Sequence, residues 1–504
     1  MGIYKMRNLL IAVLLIIILA VLSGVFSSRG EKLYRQAAGL EKKADLFRAF
    51  DTYKKAKAEL VKEEKIKLAD ECRHAFTRIE KIKLTYTFTE DKVRRMMKER
   101  FPKIAAERID EVIKEGRLPH MKIDGKVHYF VDFMNTLNHV YPDFRHSEEA
   151  GALGKVTMLF DMMGKYLYEK DAGKKGQTLF SPINYTAESS MTLPRNKLPK
   201  EGTLRVWLPL PLVTAAQQNV RIITIYPEKY VKYPIKIDGD IGLAYMEIPL
   251  KEIKGDLKIG TKFTFTHYEE RFTIDPAKIG EYDKQSALFK RYTAPGRNIA
   301  ITPSIAAKAR KLAGKEKNAY RIAKIFYDHI VYDLDYSYTP HAALDALGIP
   351  ESVFVHEKGI GDCGAQSMYF AALCRSMGIP ARASGGMQLF PVQKTGCGDH
   401  FWAQVYFPNY GWVPVDTSVG QLIRYMDGVP EKQQKDYIEY FFTKMDPFRY
   451  LIQVDVDLPL IPPLDEPAAF SAVLQDPVMI CREMDINPGI VFMDAWKVTV
   501  KKVN

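Results

Sequence analysis

The segment Gly359-Ile360-Gly361-Asp362-Cys363-Gly364-Ala365-Gln366-Ser367 sets a cysteine where nucleophilic chemistry is favoured. Glycines break any long helix before Cys363, and the apolar run Met368-Tyr369-Phe370-Ala371-Ala372-Leu373 after it reads as helix. Cys363 therefore stands at or near a helix N-terminus. There the unpaired N–H groups and the helix dipole favour a thiolate, the nucleophilic form; a free thiol with a pKa of about 8.5 is mostly protonated at neutral pH. Cys374 falls on the apolar face of the same helix and reads as a buried structural residue.

A base for this nucleophile is offered by His400. It opens the strand-like run His400-Phe401-Trp402-Ala403-Gln404-Val405-Tyr406. Pro408-Asn409-Tyr410-Gly411 then reads as a turn, and Trp412-Val413-Pro414-Val415-Asp416 as the returning strand. The hairpin brings His400 near Asp416, but a carboxylate can hold an imidazole only from the same face. Sixteen residues (416 − 400) separate the two. An odd-length loop lets them share a face; a loop of two or four residues separates them unless a bulge intervenes. The spacing thus predicts an odd loop, or a bulge near Pro414, which cannot donate to the ladder. In the resulting division of labour, Cys363 attacks an acyl carbon and His400 takes and returns the proton. Asp416 fixes the tautomer and balances the imidazolium. The Cys363 N–H supplies one oxyanion donor, and the sequence does not reveal the second. Replacing Asp416 by Asn, or His400 by Ala, is expected to leave the melting temperature within a few degrees, provided neither side chain supports the core. The bland alternative makes His400 a satisfied core histidine and Asp416 a turn residue. A metal reading through Cys363, Cys397 and His400 has three ligands and lacks a fourth. No metal and no cofactor is expected.

Several elements must position these groups. The chain has 504 residues, enough for roughly three domains at about 150 residues each. With 47% hydrophobic and 27% charged residues, most of it should bury a core. Residues from about 31 to 84 lack proline and repeat apolar positions at helical spacing (Ala44, Phe47, Ala49, Tyr53, Ala56), predicting two or three packed helices. Thr89 before Glu90 and Asp91 reads as a helix cap, Phe101-Pro102 as that helix's end, and Asp124-Gly125 as a tight hairpin turn. His120, His128, His139 and His146 lie nearby without metal-ligand spacing. From about 191 to 275, Leu204, Val206 and Leu208 alternate with Arg205 and Trp207, and Phe263 and Phe265 with Thr264 and Thr266. This pattern predicts a small antiparallel β domain. Thr302-Pro303 starts a helix that Gly314 stops, and a second runs from Asn318 to Val331. Past residue 426 come a helix around 433–442, proline-rich loops and a terminal strand at 496–500. The five cysteines are odd in number and widely spaced, with no CxxC pair, so neither a disulfide framework nor a paired-thiolate zinc site is expected.

GDCGAQSMYFAALCRSMGIPAR (361–382), HFWAQVYF (400–407) and GWVPVDTS (411–418) together resemble the transglutaminase-like superfamily, a branch of the papain-like fold. Order, spacing and flanking residues agree, and LRVWLPLP (204–211) is similar to the β region often placed before such cores. By position, Cys363, His400 and Asp416 match the family's triad. The resemblance implies acyl transfer from, or hydrolysis of, peptide or protein amides through a thioester. It covers about half the chain; Cys397, three residues before His400, departs from the pattern. The fold class expected is α+β: a helical N-terminal region (29–190), an antiparallel β domain (191–280), a papain-like transglutaminase core (281–425) and a mixed C-terminal extension (426–504). A catalytically silent binding module of the same fold is the competing expectation.

Leu9 to Phe26 carries no charge over 18 residues. As a helix it would span about 27 Å, close to the hydrocarbon thickness of a bilayer. Residues 1–28 therefore read as a membrane anchor in preference to a cleaved signal, with the catalytic region outside the cytoplasm. The formal net charge of +12 comes from scattered lysines and arginines, and no nucleic-acid motif accompanies it. Expected partners are a protein or peptide substrate, membrane lipid through the anchor, and a protein docking on the helical N-terminal region.

Overall fold

The computed structural model describes residues 27–147, 160–164, 166–167, 176–390, 397–469, 472–493 and 495–503. The apolar run Leu9–Phe26 lies outside the described residues. Three helices open the described chain: α1 (Arg29–Lys42), α2 (Leu46–Lys62) and α3 (Ile66–Thr85). Ser28 and Glu31 form a reciprocal capping box at the start of α1. Ala49, Tyr53 and Ala56 are buried between the helices, as their spacing predicts. Phe47 departs from that pattern. It is 65% exposed and lies under the Lys83 ammonium, 5.0 Å from its ring centre, which lets an aromatic ring face water. Helix α4 (Glu90–Arg100) follows Thr89 and stops at Phe101, and α5 (Ala106–Glu115) succeeds it. Strands β1 (His120–Ile123) and β2 (Lys126–Tyr129) meet at Asp124-Gly125, both with positive φ (50° and 80°), as a two-residue primed turn requires. Helix α6 (Phe133–Val140) completes this region.

The β region comprises β3 (Leu179–Leu193), β4 (Thr203–Pro209), β5 (Gln217–Tyr226), β6 (Val231–Lys236), β7 (Leu243–Pro249) and β8 (Leu257–Arg271). Helices α7 (Pro303–Ala313) and α8 (Ala319–Asp328) follow, capped by the side chains of Thr302 and Asn318. Then come α9 (His341–Leu347), α10 (Glu351–Lys358), α11 (Cys363–Ser376), β9 (Ala381–Leu389), β10 (Cys397–Phe407), β11 (Gly411–Val415), α12 (Thr417–Leu422) and α13 (Glu431–Tyr440). The chain closes with β12 (Arg449–Gln453), β13 (Val478–Ile480) and β14 (Lys497–Val503).

Three larger antiparallel sheets result. In the first, β8 pairs with β3 and β5, and β14 extends it along the outer side of β3. The second runs β13-β4-β7-β6. The two share a buried core that includes Met191, Leu193, Leu204, Val206, Met246 and Ile259. Trp207 breaks the expected alternation: it is fully buried, and its indole N–H donates to the Pro462 carbonyl at 2.9 Å. The C-terminal chain covers this second face of β4. The third sheet, β11-β10-β9-β12, lies against α11. Its strand β12 comes from beyond residue 425, so the C-terminal residues are woven through all three sheets. Gly386 makes the β9–β12 contact close: a Cβ there would lie 2.1 Å from the Tyr450 carbonyl oxygen.

Candidate active site

Asp362 caps α11, its carboxylate accepting the Ala365 N–H at 3.1 Å, so Cys363 is the first residue of the helix. The backbone N–H groups of Gly364 and Phe401 face its sulfur. Burial pushes the Cys363 thiol well above its ordinary value and the Asp362 carboxylate adds to this, while those two N–H groups act in the opposite direction. The helix start alone therefore does not set the thiol's ionisation, as the sequence had suggested; desolvation outweighs it.

His400 sits on β10 opposite Gly386 of β9. Strands β10 and β11 are joined by Pro408, Asn409 and Tyr410, an odd loop of three residues, with Asn409 and Gly411 both at positive φ. Pro414 pairs in register with Gln404, without a bulge. Carried one step beyond Ala403–Val415, this register sets Asp416 beside Trp402, two residues from His400 and on its face. His400 Nε2 lies 2.7 Å from Asp416 Oδ2.

Asp416 is fully buried. Its Oδ1 caps α12 by accepting the Val419 N–H at 2.9 Å and the Ser418 hydroxyl at 3.0 Å. Its Oδ2 also accepts from Arg449 Nη1 at 2.7 Å. Burial alone would raise the Asp416 carboxyl, but His400 and Arg449 together hold it well below the usual carboxylate range. Arg449 is itself fully buried, forks onto Asp446 Oδ2 through Nε (3.0 Å) and Nη2 (2.7 Å), and lies 5.2 Å from the Trp402 ring centre. Sequence reasoning missed Arg449. The one available signal is physical: a buried carboxylate that serves a histidine needs a cation behind it.

Cys363 and His400 line one cavity of about 780 Å³. Met479, Phe492 and Trp496 of the C-terminal chain form an apolar part of its wall, and among the described residues no lysine or arginine lines it. His139 of α6 reaches the same cavity, with Nδ1 against the Asn135 carbonyl at 2.8 Å, and burial lowers it to about 4. Cys397 turns away and donates to the Val498 carbonyl at 3.2 Å. Among the described residues, no three His, Cys, Asp or Glu side chains are grouped to hold a metal ion.

Residues 305–417 match the model of the transglutaminase-like superfamily. An uncharacterized protein of Haemophilus influenzae is 26% identical over 286 residues, 51% of this chain and 75% of that protein. The uncharacterized protein YebA of Bacillus subtilis is 24% identical over 192 residues, 34% of this chain; the match spans only 25% of YebA. The crystal structure of a candidate cysteine protease from Cytophaga hutchinsonii aligns with 64% of this chain and 99% of its own, at 14% identity and a TM-score of 0.38. From residue 305 to residue 417, in the heart of a mixed α+β fold, this chain carries a transglutaminase-like domain.

Proposed function

We propose that the chain is a cysteine-dependent acyltransferase or peptidase acting on peptide or protein amides. The observation that carries this reading is the 2.7 Å contact between His400 Nε2 and buried Asp416, at the wall of the cavity that Cys363 shares. With Nε2 committed to Asp416, Nδ1 is the ring nitrogen left to serve Cys363. In the proposed cycle Cys363 Sγ bonds to the amide carbon while His400 takes the thiol proton. That proton passes to the leaving nitrogen, the C–N bond breaks, and a thioester remains. Water or a primary amine then attacks the thioester and restores the thiol, giving hydrolysis or transfer respectively. The Cys363 N–H stands ready for the oxyanion.

The silent-module reading has one observation in its favour, the upward push on the Cys363 thiol. Mild iodoacetamide treatment with peptide mapping separates the two. Cys363 is expected to label first, because it opens onto the cavity it shares with His400, whereas Cys72 and Cys481 are buried. Preferential labelling of either would sink the enzyme reading. Turnover of a peptide amide in the presence of a fluorescent primary amine should vanish in Cys363→Ala, and the ratio of hydrolysed to amine-bearing product reads the direction of the reaction.

The uncharged run Leu9–Phe26 supports a further part of the proposal, a single membrane anchor with residues 30–504 outside the cytoplasm. Protease shaving of intact cells should degrade the large region; full protection would reverse the topology. Exposed Phe47, Val61 and Ile66 support a docking role for the helical region. Crosslinking in cells, compared between wild type and Phe47→Ser, tests it, and an unchanged pattern without partners would remove it.

A further inference from the structure

Immediately before Cys363 stands a carboxylate, and a negative charge at that distance opposes ionisation of a thiol. The chain nevertheless keeps Asp362 there, where it caps α11. Its surroundings show what offsets it. Asp362 Oδ2 accepts the Thr339 N–H at 3.0 Å and lies 2.7 Å from His341 Nε2. On the other side of the same ring, His341 Nδ1 lies 2.7 Å from Glu351 Oε1, at the first residue of α10. Glu351 and Asp362 are 4% and 6% exposed. A neutral imidazole has one N–H, and would set a lone pair against one of these carboxylates; only the doubly protonated ring donates to both. We infer that His341, clamped between Asp362 and Glu351, is a positioning residue that supplies the counter-charge to the carboxylate preceding Cys363. This rests on the proposal that Cys363 is the nucleophile.

The rest of the electrostatic neighbourhood agrees. Burial works against a charge on His341, but Asp362 and Glu351 outweigh it and raise the ring well above the ordinary histidine value. Burial likewise acts to raise the Asp362 carboxyl, and His341 with the backbone N–H groups brings it below its usual value. Asp345 also lies on α9, and its charge is taken up by Lys81 of α3 and by Arg297. Around Cys363 the other titratable groups among the described residues are Tyr336, Tyr338, His139, Asp399, His400, Asp416 and Asp476. None of these faces Asp362 with a positive charge at hydrogen-bond distance; His341 does. The second oxygen of Glu351 has no hydrogen-bond partner among the described residues, so the clamp bears directly on the ring. Asp362 can therefore cap the helix of the nucleophile while the charge on His341 opposes its field.

The test is the pH dependence of Cys363 alkylation by iodoacetamide in the full chain, read by peptide mapping. His341→Gln keeps a polar side chain and removes the charge. Its alkylation inflection should move up by about one pH unit, with labelling below the inflection falling about tenfold. In the double variant Asp362→Asn/His341→Gln, which has neither charge, the inflection should return close to that of the wild type. A purely structural role for His341 would not produce that reversal. An inflection unmoved in His341→Gln, or moved and not restored in the double variant, overturns the inference. The wild-type ring gives a second reading that needs no variant: the ¹⁵N signals of His341 should show both nitrogens protonated at pH 7.5, and a neutral ring there also overturns it. A wild-type Cys363 that never labels ahead of the other cysteines is a different result, one that removes the nucleophile reading itself.

Discussion

Asp416→Asn should lower turnover of a peptide-amide substrate about 10⁴-fold, the scale of losing the carboxylate that orients a catalytic histidine. An amide can stabilise the wrong tautomer of His400 and cannot balance an imidazolium. The sequence led us to expect an unchanged melting temperature, on condition that the side chain does not support the core. That condition fails: Asp416 caps α12 and pairs with Arg449 in a fully buried site. The variant should therefore also lose stability, on the order of 3 kcal/mol, because the Arg449 charge is left with one carboxylate instead of two. The two losses separate by pH. The folded-state value of Asp416 lies below its unfolded value of about 3.9, so the stability it contributes is present above that value. It is lost as pH falls through the folded-state value. Melting curves of the wild type should show this acid limb and those of Asp416→Asn should lack it. Near-normal turnover in the variant would mean that Asp416 does not orient His400 and that a Cys–His pair works with another partner. His400→Ala should be at least as damaging to turnover, since the base itself is gone.

Arg449→Met carries the largest expected cost in stability. It strands two buried carboxylates, Asp416 and Asp446, without their shared cation, and removal of one partner from such a site costs about 3–5 kcal/mol. Urea unfolding is the measurement, and a change below about 1 kcal/mol would show that the carboxylates find other compensation. Arg449→Lys should recover only part of the loss, because one ammonium cannot fork between two carboxylates as the guanidinium does. Turnover should fall with stability in both variants, since Asp416 then keeps only its Oδ1 bonds to Val419 and Ser418 and its Oδ2 is held less firmly toward His400.

What the sequence revealed of this site, and what it hid, follows from the range of the interactions. Cys363 at a helix start is a local feature: glycines before, an apolar helix after. The pairing of His400 with Asp416 is nearly as local, because sixteen residues and a short loop fix their register. The Thr302 cap acts over three residues and was equally readable; Thr89, read the same way, precedes its helix without a side-chain cap bond, and Asn318 was read only as the start of its helix. Arg449 and His341 were not. Arg449 reaches Asp416, 33 residues away, only when their segments have packed, and His341 meets Glu351 and Asp362 only when separate helices come together; no turn fixes either register and no periodicity marks either position. The same reason explains Trp207: its strand alternates like a surface strand, and only the arrival of residue Pro462 gives it a second buried face. After 426 the helix Glu431–Tyr440 and the terminal strand Lys497–Val503 were readable, whereas the short strands Arg449–Gln453 and Val478–Ile480 were not, because each is completed by a neighbour already formed.

The pairing of β3 with β14 has a consequence for synthesis. Val503 lies opposite Asn184, 319 residues earlier (503 − 184). At about 5–20 residues per second, a ribosome needs roughly half a minute to make that interval. Throughout it, the outer side of β3 is a free edge fifteen residues long, open to pairing with a neighbouring nascent chain. Along that edge stands Pro182, which cannot donate a ladder hydrogen bond.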